Sequence, residues 1–179
     1  MTLNDILISA LSQLDRGHDA QTLDTYRERL TRYANDAQSD LAYAVGLMRT
    51  DAIKPKDGIV NLRKLPRSCR KVVKVVQLDR SVPFRSGATQ DDILLPYDET
   101  AYITYRYEPK PLENPTDVSE LSEGLHGLMV SYVVGRERMA GDVSTQGGSN
   151  LYLGMYEAAK AKLRRGVGTI DAYKITNRY

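Results

Sequence analysis

The 179-residue chain contains few of the side chains that most often crosslink a protein or perform its chemistry: one cysteine, two histidines and no tryptophan. A single cysteine excludes an internal disulfide framework. No apolar run approaches the roughly 20 residues that a membrane-spanning helix needs. The amino-terminal stretch also lacks the charged region and apolar core of a secretory signal. We therefore expect a soluble protein that is synthesised in the cytoplasm and has no membrane partner.

The common motifs of catalysis and cofactor binding are also missing. The chain has no glycine-rich phosphate loop ending in Gly-Lys-Ser/Thr, no His-Glu-x-x-His, no paired cysteines and no Gly-x-Ser-x-Gly turn. His18 and His126 have no companion that would make either one a metal ligand or a general base, so we interpret both as capping or packing residues. The sequence therefore predicts a protein that is not an enzyme and has no catalytic residue, metal site or cofactor.

Three other features leave a chemical role open. Cys69 precedes Arg70 and Lys71, which could lower the pKa of its thiol, although a lone cysteine entering a strand is typical of a small core residue. Two pairs of acidic residues near predicted turns could bind a metal or be solvated turn residues: Asp91 with Asp92, and Asp98 with Glu99.

The net charge of +2 is unevenly distributed along the chain. The stretch from Lys54 to Arg80 holds nine basic residues against two acidic ones, whereas the first 53 residues hold five arginines against eight acids. Such separated zones could contact DNA on one side and copies of the chain on the other, or could be ordinary solvated surface. The candidates for a DNA channel or another electrostatic contact are Arg63, Lys64, Arg67, Arg70, Lys71, Lys74, Lys160, Lys162, Arg164 and Arg165.

Apolar periodicity predicts four helices, at about residues 2–16, 20–48, 117–140 and 149–165. Thr2 with Asp5 forms a plausible capping pair for the first helix, and Asp19 can cap the second. Asp117 with Glu120 is placed to start the third helix. Three glycines weaken that helix in isolation and would make sense if another helix packed closely against it: Gly124, Gly127 and Gly135.

The stretch between the second and third helices reads as strand instead. Val72–Leu78 and Ala101–Tyr107 are rich in β-branched and aromatic residues, and the second run alternates strictly between two faces. We therefore predict an α+β, mainly helical fold. It has a four-helix body, a small antiparallel β insertion at about residues 59–109, and an extended carboxy-terminal arm.

The predicted arm comprises residues 166–179, which do not continue the helical period. It carries four apolar anchors that no predicted element of the chain could cover: Ile170, Tyr173, Ile175 and Tyr179. We expect this segment to become ordered against a partner, either by strand addition or by seating its side chains in clefts.

The order of these elements resembles the head-to-tail adaptor proteins of tailed bacteriophages, also called head completion, connector or tail-tubular proteins. The resemblance covers about residues 2–165, taken as one adaptor domain. It rests on the element order and on the segments NLRKLPRSCRKVVKVV and AYITYRYEPKP, which lead into and close the strand region.

The resemblance implies a structural protein of the virion neck, between capsid and tail. Members of the family form a ring, usually of twelve subunits, beneath the portal, where they extend the DNA channel and offer a surface to tail, stopper or nozzle proteins. It implies that the arm grips the portal and that channel DNA is contacted without sequence specificity.

Two other functions remain open from the sequence. A small nucleic-acid-binding protein, sequence-nonspecific or regulatory, could use the basic stretch at residues 63–74 to bind phosphates, although no helix-turn-helix pattern is evident. An enzyme of an unrecognised type is the third. Oligomer mass separates the adaptor from the nucleic-acid-binding protein. A regulator should be a monomer or dimer, whereas an adaptor forms a large ring or assembles only on its portal.

Overall fold

The chain folds into a helical region and a strand region that each have their own internal contacts. The structure, a computed structural model, describes residues 1–17, 19–140 and 151–163. One compact unit comprises Met1–Val45 with Pro109–Tyr179, and the other comprises Gly46–Glu108. We call them the helical unit and the β unit. The predicted arm, Arg164, Arg165 and the 141–150 segment lie outside the described residues.

The described part of the helical unit contains four α-helices. They are α1 (Leu3–Gln13), α2 (Ala20–Val45), α3 (His126–Met139) and α4 (residues 151–163). A short 3-10 turn, Glu123–Leu125, leads into α3. None of the helices in the described ranges is both long enough and apolar enough to cross a membrane.

The starts of α1 and α2 follow from local sequence. Thr2 and Asp5 form a reciprocal capping box, with the Thr2 hydroxyl accepting the Asp5 N–H at 3.2 Å and the Asp5 carboxylate accepting the Thr2 N–H at 2.9 Å. The Asp19 carboxylate accepts the N–H groups of Gln21 and Thr22. These contacts confirm both predicted caps, because they satisfy donors that a helix leaves unpaired at its start. The predicted stripe of α1 is buried at Leu3, Ile6, Leu7, Ala10 and Leu11.

The end of α2 differs from the prediction. The helix stops at Val45, and Gly46 adopts a φ of 67°, a conformation that suits glycine and terminates helices. Met48, expected to lie in the last turn, instead begins a β-strand. Apolar spacing alone could not separate these cases, because Met48 follows Leu41 and Ala44 at the spacing of three and four residues that a helix would have.

The start of α3 also differs, by about nine residues. The Asp117 carboxylate accepts the backbone N–H groups of Glu113 and Asn114, which precede it, and so closes a turn instead of capping a helix ahead of it. Val118 forms an isolated β-bridge with Thr2. The α-helix α3 therefore begins only at His126, directly after the 3-10 turn.

Close packing between α3 and α4 explains one of the three glycines. A Cβ atom at Gly135 would lie 2.8 Å from Leu153 Cγ and 2.9 Å from its Cδ2. The same atom at Gly124 or Gly127 would meet nothing within 4 Å. The expectation of a closely packed helix is therefore confirmed at Gly135 alone.

Charged groups hold parts of the helical unit together. Glu137 of α3 is 4% exposed, and its Oε1 accepts hydrogen bonds from Arg29 Nη2 at 2.6 Å and Arg16 Nη1 at 3.1 Å. On α4, the buried Tyr156 donates its hydroxyl to Asp40 at 2.7 Å, and its ring lies 5.0 Å from that of Tyr132. The three hydrogen-bonded pairs join residues more than one hundred positions apart, which links the two stretches of the unit.

The β unit is larger than predicted. The described chain has seven strands here, in two antiparallel sheets, so the prediction of one small sheet was wrong. The strands are β1 (Met48–Ile53), β2 (Ile59–Asn61), β3 (Cys69–Gln77), β4 (Arg80–Ser81), β5 (Arg85–Ser86), β6 (Asp92–Leu94) and β7 (Ala101–Tyr107).

The four-stranded sheet has the order β1-β7-β3-β4, and the three-stranded sheet has the order β2-β6-β5. Four of these strands are only two or three residues long, too short for a period-2 pattern to show in sequence. Buried apolar side chains of the β unit form one core: Val60, Leu65, Val75, Ile93, Leu95, Ala101, Ile103 and Tyr105.

Candidate interaction surface

Within the described residues, one face of the four-stranded sheet carries exposed and half-buried side chains. The burial of β7 alternates as predicted, with Ile103 and Tyr105 buried, Tyr102 exposed, and Thr104 and Arg106 half-buried. The antiparallel register places neighbours from β1 and β3 beside these outward residues. We call the resulting surface the outer face; its members are Met48, Thr50 and Ala52 of β1, Tyr102, Thr104 and Arg106 of β7, and Lys71, Lys74 and Val76 of β3.

Two irregularities in β3 bring both of its lysines onto the outer face. In a regular strand, residues three apart point to opposite faces. Here the register shifts between Cys69 and Lys71 and again between Val72 and Lys74, so Lys71 lies opposite Arg106 and Lys74 opposite Thr104. An extra residue in one strand of a pair re-aims the side chains that follow it. The outer face therefore carries three cations: Lys71 and Arg106, which lie opposite each other, and Lys74, which lies opposite Thr104.

Apolar side chains lie among these cations. Met48 is 56% exposed, Tyr102 51% and Val73, beside Lys74, 46%. Lys71 and Lys74 are exposed, and within the described residues neither has a carboxylate within ion-pair distance. An exposed surface that mixes apolar groups with unpaired cations can bind an acidic partner through both kinds of contact.

The other basic residues predicted in this region are arranged differently. Arg63 and Lys64 lie in a 3-10 turn, where the Arg63 side chain is 80% exposed and its Nε is 2.6 Å from an Asp91 carboxylate oxygen. The Arg67 guanidinium lies 6.0 Å from the centre of the Tyr107 ring. Arg70 is paired with Glu108. The structure thus gives three of these cations local partners and brings only Lys71 and Lys74 together on the outer face.

The basic residues predicted near the carboxy terminus are divided in the same way. Lys160 is 7% exposed, and its ammonium lies 2.7 Å from Asp40 and 2.6 Å from Glu157. Burial alone would lower the pKa of Lys160, but the hydrogen bonds to both carboxylates outweigh it and raise the pKa. Its charge is therefore neutralised inside the helical unit, whereas Lys162 is exposed.

A partly buried polar cluster lies on the opposite, inner face of the same sheet. Tyr105 donates its hydroxyl to Asp51 at 2.6 Å, and Arg49 makes two hydrogen bonds to the same carboxylate. Burial and the bond to Asp51 raise the pKa of Tyr105 to about 12. The Arg49 bonds hold the pKa of Asp51 below its usual value. Sequence reasoning missed this cluster, because its only signal is the Arg-x-Asp spacing in a strand that was not predicted: the predicted second helix ended at about residue 48, and the predicted β insertion began at about residue 59.

The residues considered for chemistry have structural contacts. Burial lowers the pKa of His126, whose Nε2 lies 3.1 Å from the Leu121 carbonyl oxygen. Cys69 packs against the core of the β unit, and burial raises the pKa of its thiol. Asp92 accepts hydrogen bonds from Asn61 and Thr89, and Asp98 accepts one from the Gly58 N–H. His18 lies outside the described residues.

Acidic turn residues also meet no further ligand-type side chains. Within the described ranges, no three His, Cys, Asp or Glu side chains are grouped so that they could hold a metal ion.

Comparison with known proteins adds no identification, since no protein-family model matches the chain and no curated protein matches it.

Proposed function

We propose that this chain is a structural subunit of a head-to-tail adaptor ring in a tailed bacteriophage. In this proposal the ring, a dodecamer by analogy, lies in the virion neck between portal and tail and surrounds the DNA channel. Residues 166–179 dock on the portal, and a tail, stopper or nozzle protein binds on the other side. The observation that carries the proposal is the basic and apolar outer face.

The charge difference between the two units supports contacts between copies. Residues 46–108 hold twelve Lys and Arg against eight Asp and Glu, a balance of +4. Residues 1–45 and 109–179, the helical unit, hold thirteen Lys and Arg against fifteen Asp and Glu, a balance of −2. Copies that join unlike surfaces form heterologous contacts, which close into a ring when the rotation permits.

The helical unit offers a complementary surface. A cleft of about 650 Å³ lies between α2 and the segment that precedes α3, and its lining includes three exposed acids, Glu28, Asp36 and Glu113, and two arginines, Arg29 and Arg32. Arg29 is paired with Glu137, so the acids are in excess. None of the three acids is in an ion pair within the described residues. In our proposal this acidic cleft of one copy faces the outer face of the next, where opposite potentials favour association and fix its direction.

Charge reversal on the outer face tests this proposal. Lys71→Glu with Lys74→Glu should lower the fraction of assembled protein at least about tenfold at low salt, because attraction becomes repulsion at the contact. The matched control, Lys56→Glu with Arg85→Glu, makes the same charge change at exposed positions away from the outer face and should assemble normally. Native mass spectrometry across a salt series measures both. A stable two-fold dimer under all conditions would contradict the proposal.

A second candidate function is binding of nucleic acid without a ring. The observation in its favour is Tyr102 among Lys71, Lys74 and Arg106, because aromatic rings between cations are what single-stranded nucleic acids need for stacking and phosphate contact. A monomer that binds oligonucleotides tightly at physiological salt would favour this function. Contact with channel DNA should instead be weak, independent of sequence and steeply dependent on salt.

A further inference from the structure

The tip of the β unit has a backbone conformation that its own sequence does not favour. Leu78 and Asp79 connect β3 to β4 with φ values of 49° and 57°. Two-residue hairpin turns with both central φ values positive strongly prefer Asn-Gly, because a bulky side chain is strained there. Leu78 is nevertheless 60% exposed, so the fold gains little from this leucine in return for the strain.

A cleft of about 530 Å³ lies beside this turn. Leu78, Val82, Pro83, Pro96 and Tyr97 line it. Tyr97 is 48% exposed and therefore presents much of its ring to an incoming chain. An apolar cleft with an exposed aromatic ring suits an extended peptide segment, which places alternate side chains in the cleft.

The cleft wall also contains an acceptor without a donor. Gln77 lines the cleft and is fully buried, and its Nε2 donates to the carbonyl oxygens of Tyr97 and Glu99, both at 2.9 Å. Those two bonds identify which amide atom is the nitrogen, because the facing carbonyl oxygens can only accept and so require a donor from Gln77. The buried Oε1 has no hydrogen-bond partner in the described chain. A buried acceptor of this kind costs free energy until a donor reaches it.

Three exposed acids, Asp79, Asp98 and Glu99, lie within two positions of lining residues in the sequence, although the β unit as a whole is basic; we call them the acidic rim. Arg80 is the one charged side chain among the lining residues themselves. An occupant should therefore be extended, apolar and positively charged. Residues 172–179 of this chain, AYKITNRY, combine Tyr173, Ile175 and Tyr179 with Lys174 and Arg178 and contain no acid.

We propose that the tip cleft receives residues 172–179 of a neighbouring copy when no portal holds them. The sixteen residues from 164 to 179 could span about 50 Å when extended, enough to reach an adjacent subunit. The apolar anchors enter the cleft beside Leu78 and Tyr97, Lys174 and Arg178 meet the acidic rim, and a donor of the incoming segment satisfies Gln77. The inference depends on the proposed ring in one respect only, namely that a neighbouring copy of the chain is present.

Hydrogen exchange of the full-length chain tests the proposal. Amides of residues 172–179 should be protected, and protection should rise with protein concentration, because the cleft belongs to another copy. Leu78→Asn should reduce that protection about tenfold or more, the scale of losing one buried anchor. Asparagine tolerates positive φ, so this variant should fold at least as well as the parent chain. The matched control is Leu94→Asn, which changes another exposed leucine of the β unit and should leave protection unchanged.

A charge exchange distinguishes a specific contact from a general disturbance. Reversing the rim (Asp79→Lys with Glu99→Lys) or the segment (Lys174→Glu with Arg178→Glu) should each abolish protection, and combining all four changes should restore it. The inference is overturned if wild-type protection is missing, independent of concentration or unaffected by Leu78→Asn. Native mass measured on the same samples keeps the two proposals apart: a ring with unprotected segments refutes only the cleft, and protected segments without a ring refute only the adaptor function.

Discussion

The helical unit and the β unit differ in how deeply their charged side chains are buried. In the helical unit, Glu137 and Lys160 are nearly buried, and each is bonded to two oppositely charged side chains. In the β unit, Lys71 and Lys74 are exposed among apolar groups, with no ion pair in the described chain. The ion pairs described in the β unit, those of Arg49, Arg63 and Arg70, leave 36% or more of the cation's side chain exposed. Buried charge thus links elements of the helical unit, whereas the charge of Lys71 and Lys74 is available to a partner.

The two units also differ in how the chain builds them. The helical unit combines two stretches separated by 63 residues, and the β unit is the continuous stretch between them. The Tyr107 N–H donates to the Leu47 carbonyl at 3.1 Å, so the two ends of the β unit lie side by side. A continuous segment with adjacent ends and its own core can lose stability without the rest of the chain doing so.

The largest effect is expected from Ile103→Ala, which opens a cavity in the core of the β unit. Ile103 is fully buried in β7 between Asp51 of β1 and Val75 of β3. Truncating such a side chain lowers the free energy of unfolding by about 2–5 kcal/mol. Hydrogen exchange should show the loss across β1, β3 and β7, while α1 keeps its protection.

Ile59→Ala is the control for this substitution. Ile59 is 43% exposed on β2, so removing the same atoms should lower the free energy of unfolding much less. Equal loss of protection in α1 and in β7 of the Ile103→Ala variant would show that the two units unfold together. It would contradict the inference that the β unit can lose stability without the helical unit.

A smaller effect is expected from Gly135→Ala in the helical unit. The new methyl group would lie 2.8 Å from Leu153 Cγ and 2.9 Å from its Cδ2, so either the Leu153 side chain or α4 must shift. Overpacking of this kind lowers the free energy of unfolding by about 1–3 kcal/mol. Gly127→Ala, made on the same helix in open space, should be neutral or stabilising by up to about 1 kcal/mol. Urea unfolding of both variants gives the difference, and equal effects would mean that α3 and α4 do not pack tightly.

Much of the helical unit could be predicted because its signals are local. Caps such as Thr2 with Asp5 and the stripe of α1 involve residues three or four apart. The start of α3 could not be predicted, because Asp117 bonds backward to Glu113 and Asn114 and the sequence pattern is compatible with either direction. On α4, the apolar Met155 is 60% exposed, while the neighbouring Tyr156 is buried, a difference that apolar character alone does not predict.

The candidate surface was only partly predictable for the same reason. The basic residues of the strand region were visible in the sequence, and so was the alternation of β7. That Lys71 and Lys74 share a face depends on two irregularities in the pairing of β3 with β7, which no local pattern reports. The fate of Lys160 likewise depends on Asp40, 120 residues away.

The smallest predicted effect is a loss of stability of the helical unit at mildly acidic pH. Both histidines of the chain lie outside the β unit, so titration between about pH 5 and 7 should act on the helical unit alone. His126 is 3% exposed, and burial, reinforced by the Met1 amine 2.9 Å from its Nδ1, lowers its pKa below the ordinary 6.5. The unfolded chain therefore binds a proton near pH 6.5 while the folded chain does not.

The sign of the pH dependence follows from that difference. The stabilisation linked to the neutral His126 ring is complete above about pH 6.5 and is lost as the pH falls from there toward the folded pKa. His126→Gln should remove this slope, and comparing the two chains cancels any contribution from His18. The four aspartates with lowered pKa values, Asp5, Asp19, Asp51 and Asp117, act below their ordinary 3.8 and so outside this window. Thermal unfolding of both chains from pH 8 to 5 measures the effect, and parallel curves would show that His126 titrates normally in the fold.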